Sequence, residues 1–395
     1  MKEKICNMET PFFLIHQDIL EQNILNFESA LHEEWPNSRL AYSVKTNSLP
    51  WLLKRLHSRN IVAEVVSDEE YDLAEMCGYD GSEIVFNGPI KGAEHFQKAV
   101  SQNAIINLDS KKDVSFLPKY AKNEMRIGIR VNVPPENFST EDIGYEKDGF
   151  RFGFCEENGD FATVLAAVRE IEKVKLGLHL HCNSITRSVD VYRAIARYTS
   201  FLIQKYKLSL DYIDMGGGFF GGVPGKTTPK QYISAIREEL KDTVDSRKTT
   251  LIVEPGSAII GSAVDLYTSV LDVKDTSNAR IVTTDGSRIH IDPLWAKSRY
   301  LFELSSANNR KISHQIICGY TCMDHDRIMA LENENELSVG DQIIYKRVGA
   351  YSMTFGGMFI RYYPDVYVKK DNNITCVRKR ITTEEYYKIH NYEEN

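Results

Sequence analysis

The chain has no excess of basic residues: 48 Lys and Arg stand against 55 Asp and Glu, a formal net charge of -7. That deficit speaks against a nucleic-acid or anionic-membrane surface, because either polyanion would be repelled at long range, and leaves a small molecule as the expected partner. Paired CxxC spacings are also missing. The seven cysteines are an odd and scattered number, which fits neither a disulfide framework nor a zinc site and suits a reducing compartment. The opening MKEKICNMETPFFLIHQD lacks the apolar core of a signal peptide, and no stretch approaches the roughly 18 apolar residues of a membrane span. The expected location is the cytoplasm. Low-complexity segments and long internal repeats are absent, and the acidic run ENENE near Glu332 reads as an exposed loop.

What remains is an ordinary globular composition, 42% hydrophobic and 26% charged over 395 residues, enough for one large domain and a smaller one. Between residues 40 and 257, short β-branched runs alternate with segments of helical period. Eight runs can be counted, starting at Leu40, Val62, Glu83, Ala104, Arg126, Lys175, Tyr212 and Thr250. Ser67 and Ser188 stand where helix caps belong, and Gly78 closes the first of those helices. Eight regular units predict a (β/α)8 TIM-like barrel over residues 18–257, with a doubly wound open sheet as the competing fold. After Pro255 the texture changes to short alternating runs split by Asn, Asp and Gly, which predicts a mostly antiparallel β domain over 258–395, joined by the N-terminal segment 1–17.

Barrel function gathers at the C-terminal ends of strands, and the unusual residues fall there repeatedly. Lys45 ends the first strand, Glu64 and Ser67 the second, Asn87 the third, Arg130 the fifth, His181 the sixth, Gly216 to Gly218 the seventh and Glu254 the eighth. Lys45 lies in AYSVKTN with apolar neighbours, so partial desolvation would favour a nucleophilic amine. GGGFFGG frees backbone amides for a phosphate. It does not meet the dinucleotide GxGxxG pattern in a Rossmann context. Glu254 could hold a pyridine nitrogen protonated, and His181 could stack on a ring. Each feature also has a plainer reading: a salt-bridged strand-end lysine, a flexible glycine turn, an ion pair of Glu254 with Arg130, a hydrogen-bonded core histidine. Cys322 in CGYTCMDHDRI belongs to the β domain; a free cysteine is usually a small buried apolar residue, but Asp324 and Asp326 follow it, and acids are costly to bury.

Taken in order, these motifs resemble the alanine-racemase-fold decarboxylases that use pyridoxal 5'-phosphate, the group containing the ornithine, arginine, diaminopimelate and carboxynorspermidine enzymes. The resemblance runs from TPFFLI to GAYSMTFGG. It implies that Lys45 in VKTN is the Schiff-base lysine, that His181 stacks on the ring with Ser184 following as a phosphate ligand, and that Gly217 and Gly218 form the phosphate loop. By the same resemblance Glu254 and Gly256 of EPG lie at the cofactor, as do Glu64 and Arg130, and Tyr351 of GAY reaches the phosphate. Cys322 and Asp326 match a C-x-x-x-D motif contributed by the partner subunit, which implies a homodimer with shared sites; Asp285, Met323 and Asp326 are expected to line the substrate pocket. No metal is expected.

Departures bear on the substrate. Ser257 replaces the family's arginine after EPG, Met323 stands where an acid commonly reads a distal amine, and Asp292 in DPLW stands where diaminopimelate enzymes carry an arginine for the distal carboxylate. Losing such partners changes discrimination by several kcal/mol, on the order of 10³-fold. The expected activity is therefore decarboxylation of an amino acid or amino-acid conjugate other than diaminopimelate or ornithine. A racemase or epimerase is the alternative, because Lys45 and Cys322 could offer acids on two faces. A non-catalytic decarboxylase-like regulator is a further one, although the lysine and phosphate loop that it would lose are both present.

Overall fold

A computed structural model of the chain describes residues 5, 8–143, 149–182, 184–295, 297, 299–306 and 308–392. The chain divides into two compact units, residues 23–259 and residues 1–22 with 260–395.

The first unit is a closed parallel barrel. Its strands are β1 (Ser38–Ser43), β2 (Val62–Val65), β3 (Ile84–Phe86), β4 (Ile105–Leu108), β5 (Arg126–Asn132), β6 (Lys175–His179), β7 (Tyr212–Asp214) and β8 (Thr250–Val253). Each corresponds to one of the eight runs. They pair in chain order, and the ring closes where β8 pairs with β1 at Leu251 and Ser38. Continuous apolar runs suit this arrangement because strands under a coat of helices are buried on both faces. Ala41, Val62, Val85, Ile105, Tyr212 and Ile252, one from each of six strands, form one buried cluster. Gly128 and Gly177 make room for the Tyr212 ring, since a Cβ on Gly177 would lie 2.2 Å from it.

Helix starts follow the caps seen in the sequence. The Ser67 hydroxyl accepts from the Glu70 amide at the head of Asp68–Met76, and Ser188 accepts from the Val191 amide at the head of Val189–Tyr206. Gly78, at φ +103°, ends the first of these helices in the left-handed conformation.

The second unit holds a nine-stranded sheet running Arg327–Asn335, Lys311–Cys318, Arg280–Thr284, Val264–Asp275, Phe12–His16, Asp365–Lys370, Asn373–Arg378, with Gln342–Lys346 bridging Val264–Asp275 and Leu301–Ser305. Most pairings are antiparallel. Two are parallel: Phe12–His16 with Asp365–Lys370, and Arg280–Thr284 with Lys311–Cys318. Phe12–His16 lies between two strands of this unit, which is why the N-terminal residues group with the C-terminal ones. The ENENE run is not a loop. It largely continues strand Arg327–Asn335, where His314 on the neighbouring strand hydrogen-bonds Glu332 and Lys311 offsets the charge of Glu334.

Candidate active site

At the C-terminal rim of the barrel, Lys45 sits in a tight turn, Val44–Thr46, immediately after β1. The amine is less enclosed than its apolar sequence neighbours suggest. The side chain is 42% exposed, and its Nζ donates to Ser43 Oγ at 2.7 Å and to Glu64 Oε2 at 2.8 Å. Apolar neighbours in sequence point elsewhere from a strand end, so they do not enclose the ammonium. Glu64 itself is buried. Burial alone would raise its pKa, but the Lys45 charge and the hydrogen bonds from Lys45, Ser43 and Asn87 outweigh it and hold the carboxyl below the usual range.

From Glu64 the contacts continue across the barrel. Asn87, directly after β3, donates to Glu64 Oε1 at 3.0 Å and to Glu254 Oε1 at 2.6 Å. Asn107 of β4 donates to Asn87 Oδ1 at 2.8 Å and to Asp214 Oδ2 at 3.2 Å. Lys45 and Glu254 thus terminate one hydrogen-bonded line, Lys45–Glu64–Asn87–Glu254, and the turn after β8 also lies against the Lys45 turn. A Cβ on Gly256 would fall 1.9 Å from Thr46 Oγ1, so only glycine permits that contact.

The Glu254 end is short of positive charge. Burial, with the charges of Asp214 and Glu64 close by, drives its pKa well above the carboxylate range, and burial pushes Asp214 up to about 6. The nearest imidazole, His179, lies 3.7 Å from Glu254 Oε2, and neither ring nitrogen has a hydrogen-bond partner. Desolvation and the Arg130 charge keep that ring neutral. The ligand atoms of His179, Asp214 and Glu254 lie within 4.8 Å of one another, close enough for a metal ion. They also fit a protonated pyridine nitrogen, a cation that would restore the buried carboxylate of Glu254 to its charged form. The donor set along this line therefore fits a pyridoxal ring between the lysine and glutamate ends.

Arg130 does not pair with Glu254. Its Nη1 donates to Asp109 Oδ2 at 2.6 Å, and the guanidinium lies over the Phe152 ring at 4.4 Å. His181, two residues beyond β6, is pushed down to about 3 by desolvation, Arg130 and Lys45, so it presents a neutral ring. It packs closely on the glycine loop: a Cβ on Gly216, at φ +63°, would lie 2.5 Å from the His181 Cβ. Gly217 packs on the Glu254 carbonyl, and Gly218 at φ +90° faces the Tyr192 hydroxyl. Ser184 Oγ accepts from the Arg187 amide at 3.0 Å.

The remaining predicted residues belong to the second unit. Cys322 is exposed, and Met323 half-buried, in the turn between Lys311–Cys318 and Arg327–Asn335. Asp326 is buried, and its carboxylate accepts from Ser287 Oγ, Thr321 Oγ1 and the Arg288 amide. Asp285 is buried and accepts from Thr10 Oγ1 and the Ser269 amide. Tyr351 is half-buried with φ 58°. Sequence reasoning missed Ser43, Asn107, Asp109, Asp214, His179 and Arg187. Their period-2 placement on barrel strands offered a signal for some; Arg187 offered none.

A closed parallel barrel whose strand ends present a lysine, a buried glutamate, a neutral histidine and a glycine loop defines the class of barrel-fold, pyridoxal-phosphate-dependent enzymes. The sequence profile described as "Pyridoxal-dependent decarboxylase, pyridoxal binding domain" matches residues 20–261. The chain belongs to that family, and it is a carboxy-lyase that uses pyridoxal 5'-phosphate. It is 26% identical to a diaminopimelate decarboxylase of Helicobacter pylori (strain J99), over 98% of this chain and 97% of that protein. Identity is 25% to an L-glutamyl-[BtrI acyl-carrier protein] decarboxylase of Niallia circulans, over 95% and 92%. The fold matches a solved diaminopimelate decarboxylase from M. jannaschi with a TM-score of 0.86 at 22% identity, covering 99% of this chain and 94% of that one. No helix among the described residues is long and apolar enough to cross a membrane.

Proposed function

We propose that the chain removes the α-carboxylate of an amino acid or amino-acid conjugate other than diaminopimelate or ornithine, in a site that Lys45 and Glu254 bracket. The observation that carries this is the line Lys45–Glu64–Asn87–Glu254, which suits a ring held by its aldehyde carbon at one end and its nitrogen at the other. Pyridoxal phosphate, when bound, supplies the electron sink for the pair left behind by the departing carboxylate. Glu254, positioned by Asn87, holds negative charge at the ring nitrogen. Glu64 Oε2, 2.8 Å from Lys45 Nζ, takes the proton that the amine must shed to act as a nucleophile. The neutral His181 offers a flat face without adding charge. Gly217, Gly218 and Ser184 receive the phosphate. Cys322 protonates the α-carbon after carbon dioxide leaves.

Substrate choice rests on Asp292. Its carboxylate accepts from Tyr300 at 2.9 Å, the Lys297 amide at 2.9 Å and Arg288 Nη2 at 3.3 Å. A distal carboxylate placed there would meet a buried acid. Met323 offers no charge to a distal amine. Similarity does not decide the question, because the diaminopimelate and acyl-carrier-linked glutamyl enzymes are 26% and 25% identical to this chain. The full-length likeness to diaminopimelate decarboxylases favours the second reading, that diaminopimelate is the substrate. Carbon dioxide release from diaminopimelate, ornithine, glutamate and carrier-linked glutamate separates the two. The first reading expects kcat/KM for diaminopimelate and ornithine at least about 10³-fold below that for the preferred substrate. Efficient diaminopimelate turnover installs the second.

We also propose a homodimer in which Cys322 serves the partner's barrel, in keeping with its exposed thiol. Mixing inactive Lys45→Ala and Cys322→Ala proteins would then restore about a quarter of wild-type activity, because half of the dimers are mixed and each has one intact site of two. No recovery on mixing would place lysine and cysteine of one site in the same chain.

A further inference from the structure

Serine after EPG removes a charge from the barrel rim, and the structure puts another beside the same atom. Arg187 Nη1 donates to Ser257 Oγ at 3.2 Å. The rest of Arg187 is fixed from several directions. Its amide donates to Ser184 Oγ at 3.0 Å, its carbonyl accepts from the Tyr232 hydroxyl at 2.6 Å, and its guanidinium lies 5.4 Å from the Phe220 ring centroid. Phe220 directly follows the glycine loop and Phe219.

The same aromatic group anchors that loop. Tyr192 donates to the Gly217 carbonyl at 2.8 Å, stacks on Phe219 with ring centroids 4.5 Å apart, and meets Tyr232 edge-on at 4.8 Å. Arg187 and the glycine loop are therefore fastened to one cluster, and Ser184 and Ser257 are both hydrogen-bonded to Arg187. The backbone of Arg187 adopts φ +51°, a left-handed conformation that costs a non-glycine residue energy and is kept where the surroundings demand it. Among the described residues, no carboxylate lies within ion-pair distance of its guanidinium. A half-buried, positioned and unneutralised arginine next to two hydroxyls and a glycine loop is built to receive an anion.

We propose that Arg187, reaching in from the segment after β6, supplies to the cofactor phosphate the positive charge that Ser257 cannot, with Ser257 and Ser184 as hydroxyl donors beside it. The assignment rests on the family's use of pyridoxal phosphate but not on the substrate. Lys226 also lies over the Phe220 ring, 5.3 Å from its centroid, but is exposed and is given no part in the site.

The test is equilibrium binding to the cofactor-free protein, read by absorbance, with pyridoxal phosphate and with pyridoxal, which lacks the phosphate. Arg187→Ala is expected to weaken pyridoxal phosphate by roughly 10- to 100-fold, as for loss of a charge-assisted pair, and to leave pyridoxal within about twofold of wild type. Lys226→Ala should change neither. Adding Ser257→Arg to Arg187→Ala should recover most of the loss, because it restores the charge from the other side. Arg187→Lys, which keeps charge but not the forked geometry, should fall between. Equal weakening of both ligands would mean that Arg187 only shapes the loop, and unchanged phosphate affinity in Arg187→Ala would overturn the proposal outright. If Arg187→Ala does not fold, the same comparison is made with Arg187→Lys and Arg187→Gln. A wild-type protein that binds neither ligand would instead overturn the cofactor assignment.

Discussion

At the rim of the barrel, Glu64 and Glu254 are buried in a line of hydrogen bonds that stops short of balance: Glu254 is driven toward its protonated form, and His179 beside it has two unpartnered nitrogens. In the second unit Asp285, Asp292 and Asp326 are just as buried, yet each is met by local hydroxyls, amides or an arginine. Buried polar groups that are fully paired hold loops in place, whereas groups left short of a partner are prepared for a ligand. The contrast separates residues poised for chemistry from residues that position their neighbours.

The largest expected effect lies at the open end of that line. Lys45→Ala should lower decarboxylation on the order of 10⁴-fold or more and remove the visible absorbance of bound cofactor. Near-normal turnover in this variant would remove the basis for treating the rim as the active site. Glu254→Gln, which keeps the shape but cannot hold negative charge at a ring nitrogen, should cost about 10² to 10³ in kcat. A loss under threefold would make the carboxylate a structural group like those of the second unit.

Asp326 should behave in the opposite manner. Asp326→Asn removes charged acceptance from Ser287, Thr321 and the Arg288 amide, and should lower unfolding free energy by about 1–3 kcal/mol in a denaturant titration. Cys322→Ala, at an exposed position in the same turn, should leave stability within about 0.5 kcal/mol while reducing activity. Reversed results for this pair would erase the distinction between positioning and reacting residues in the turn.

A pH dependence belongs to the rim as well. Burial raises Glu70, next to the Lys45 and Glu64 pair, from 4.5 to about 7. The folded protein then holds a proton that the unfolded chain releases between those values, so this group's contribution makes stability fall as pH rises from about 4.5 to 7 and level off above. Glu70→Gln should flatten that slope, with a gain of at most about 3 kcal/mol at pH 8 in cofactor-free protein. An unchanged slope would mean that the rim stores no such cost.

The barrel was readable because its strands are continuous β-branched runs and its chemistry sits at their ends. Lys45, Glu64, Asn87 and Glu254 each end one of those runs, so their order around the rim follows from the order of the strands. What sequence could not provide was direction. Apolar neighbours suggested a desolvated Lys45, but in the turn after β1 the side chain stays 42% exposed while its amine pairs with the buried Glu64. Arg130 seemed a partner for Glu254, although Asp109 on the adjacent strand end is nearer. ENENE looked like a loop because its charges hid a strand whose partner carries Lys311 and His314. Arg187 had no motif at all; only the fold brings it to Ser257, 70 residues away.

The most direct test is chemical. Protein reconstituted with pyridoxal phosphate, reduced with borohydride and digested, should carry the cofactor mass on the peptide containing Lys45 and on no other lysine. Label on a different lysine, or none in protein that retains activity, would contradict the account.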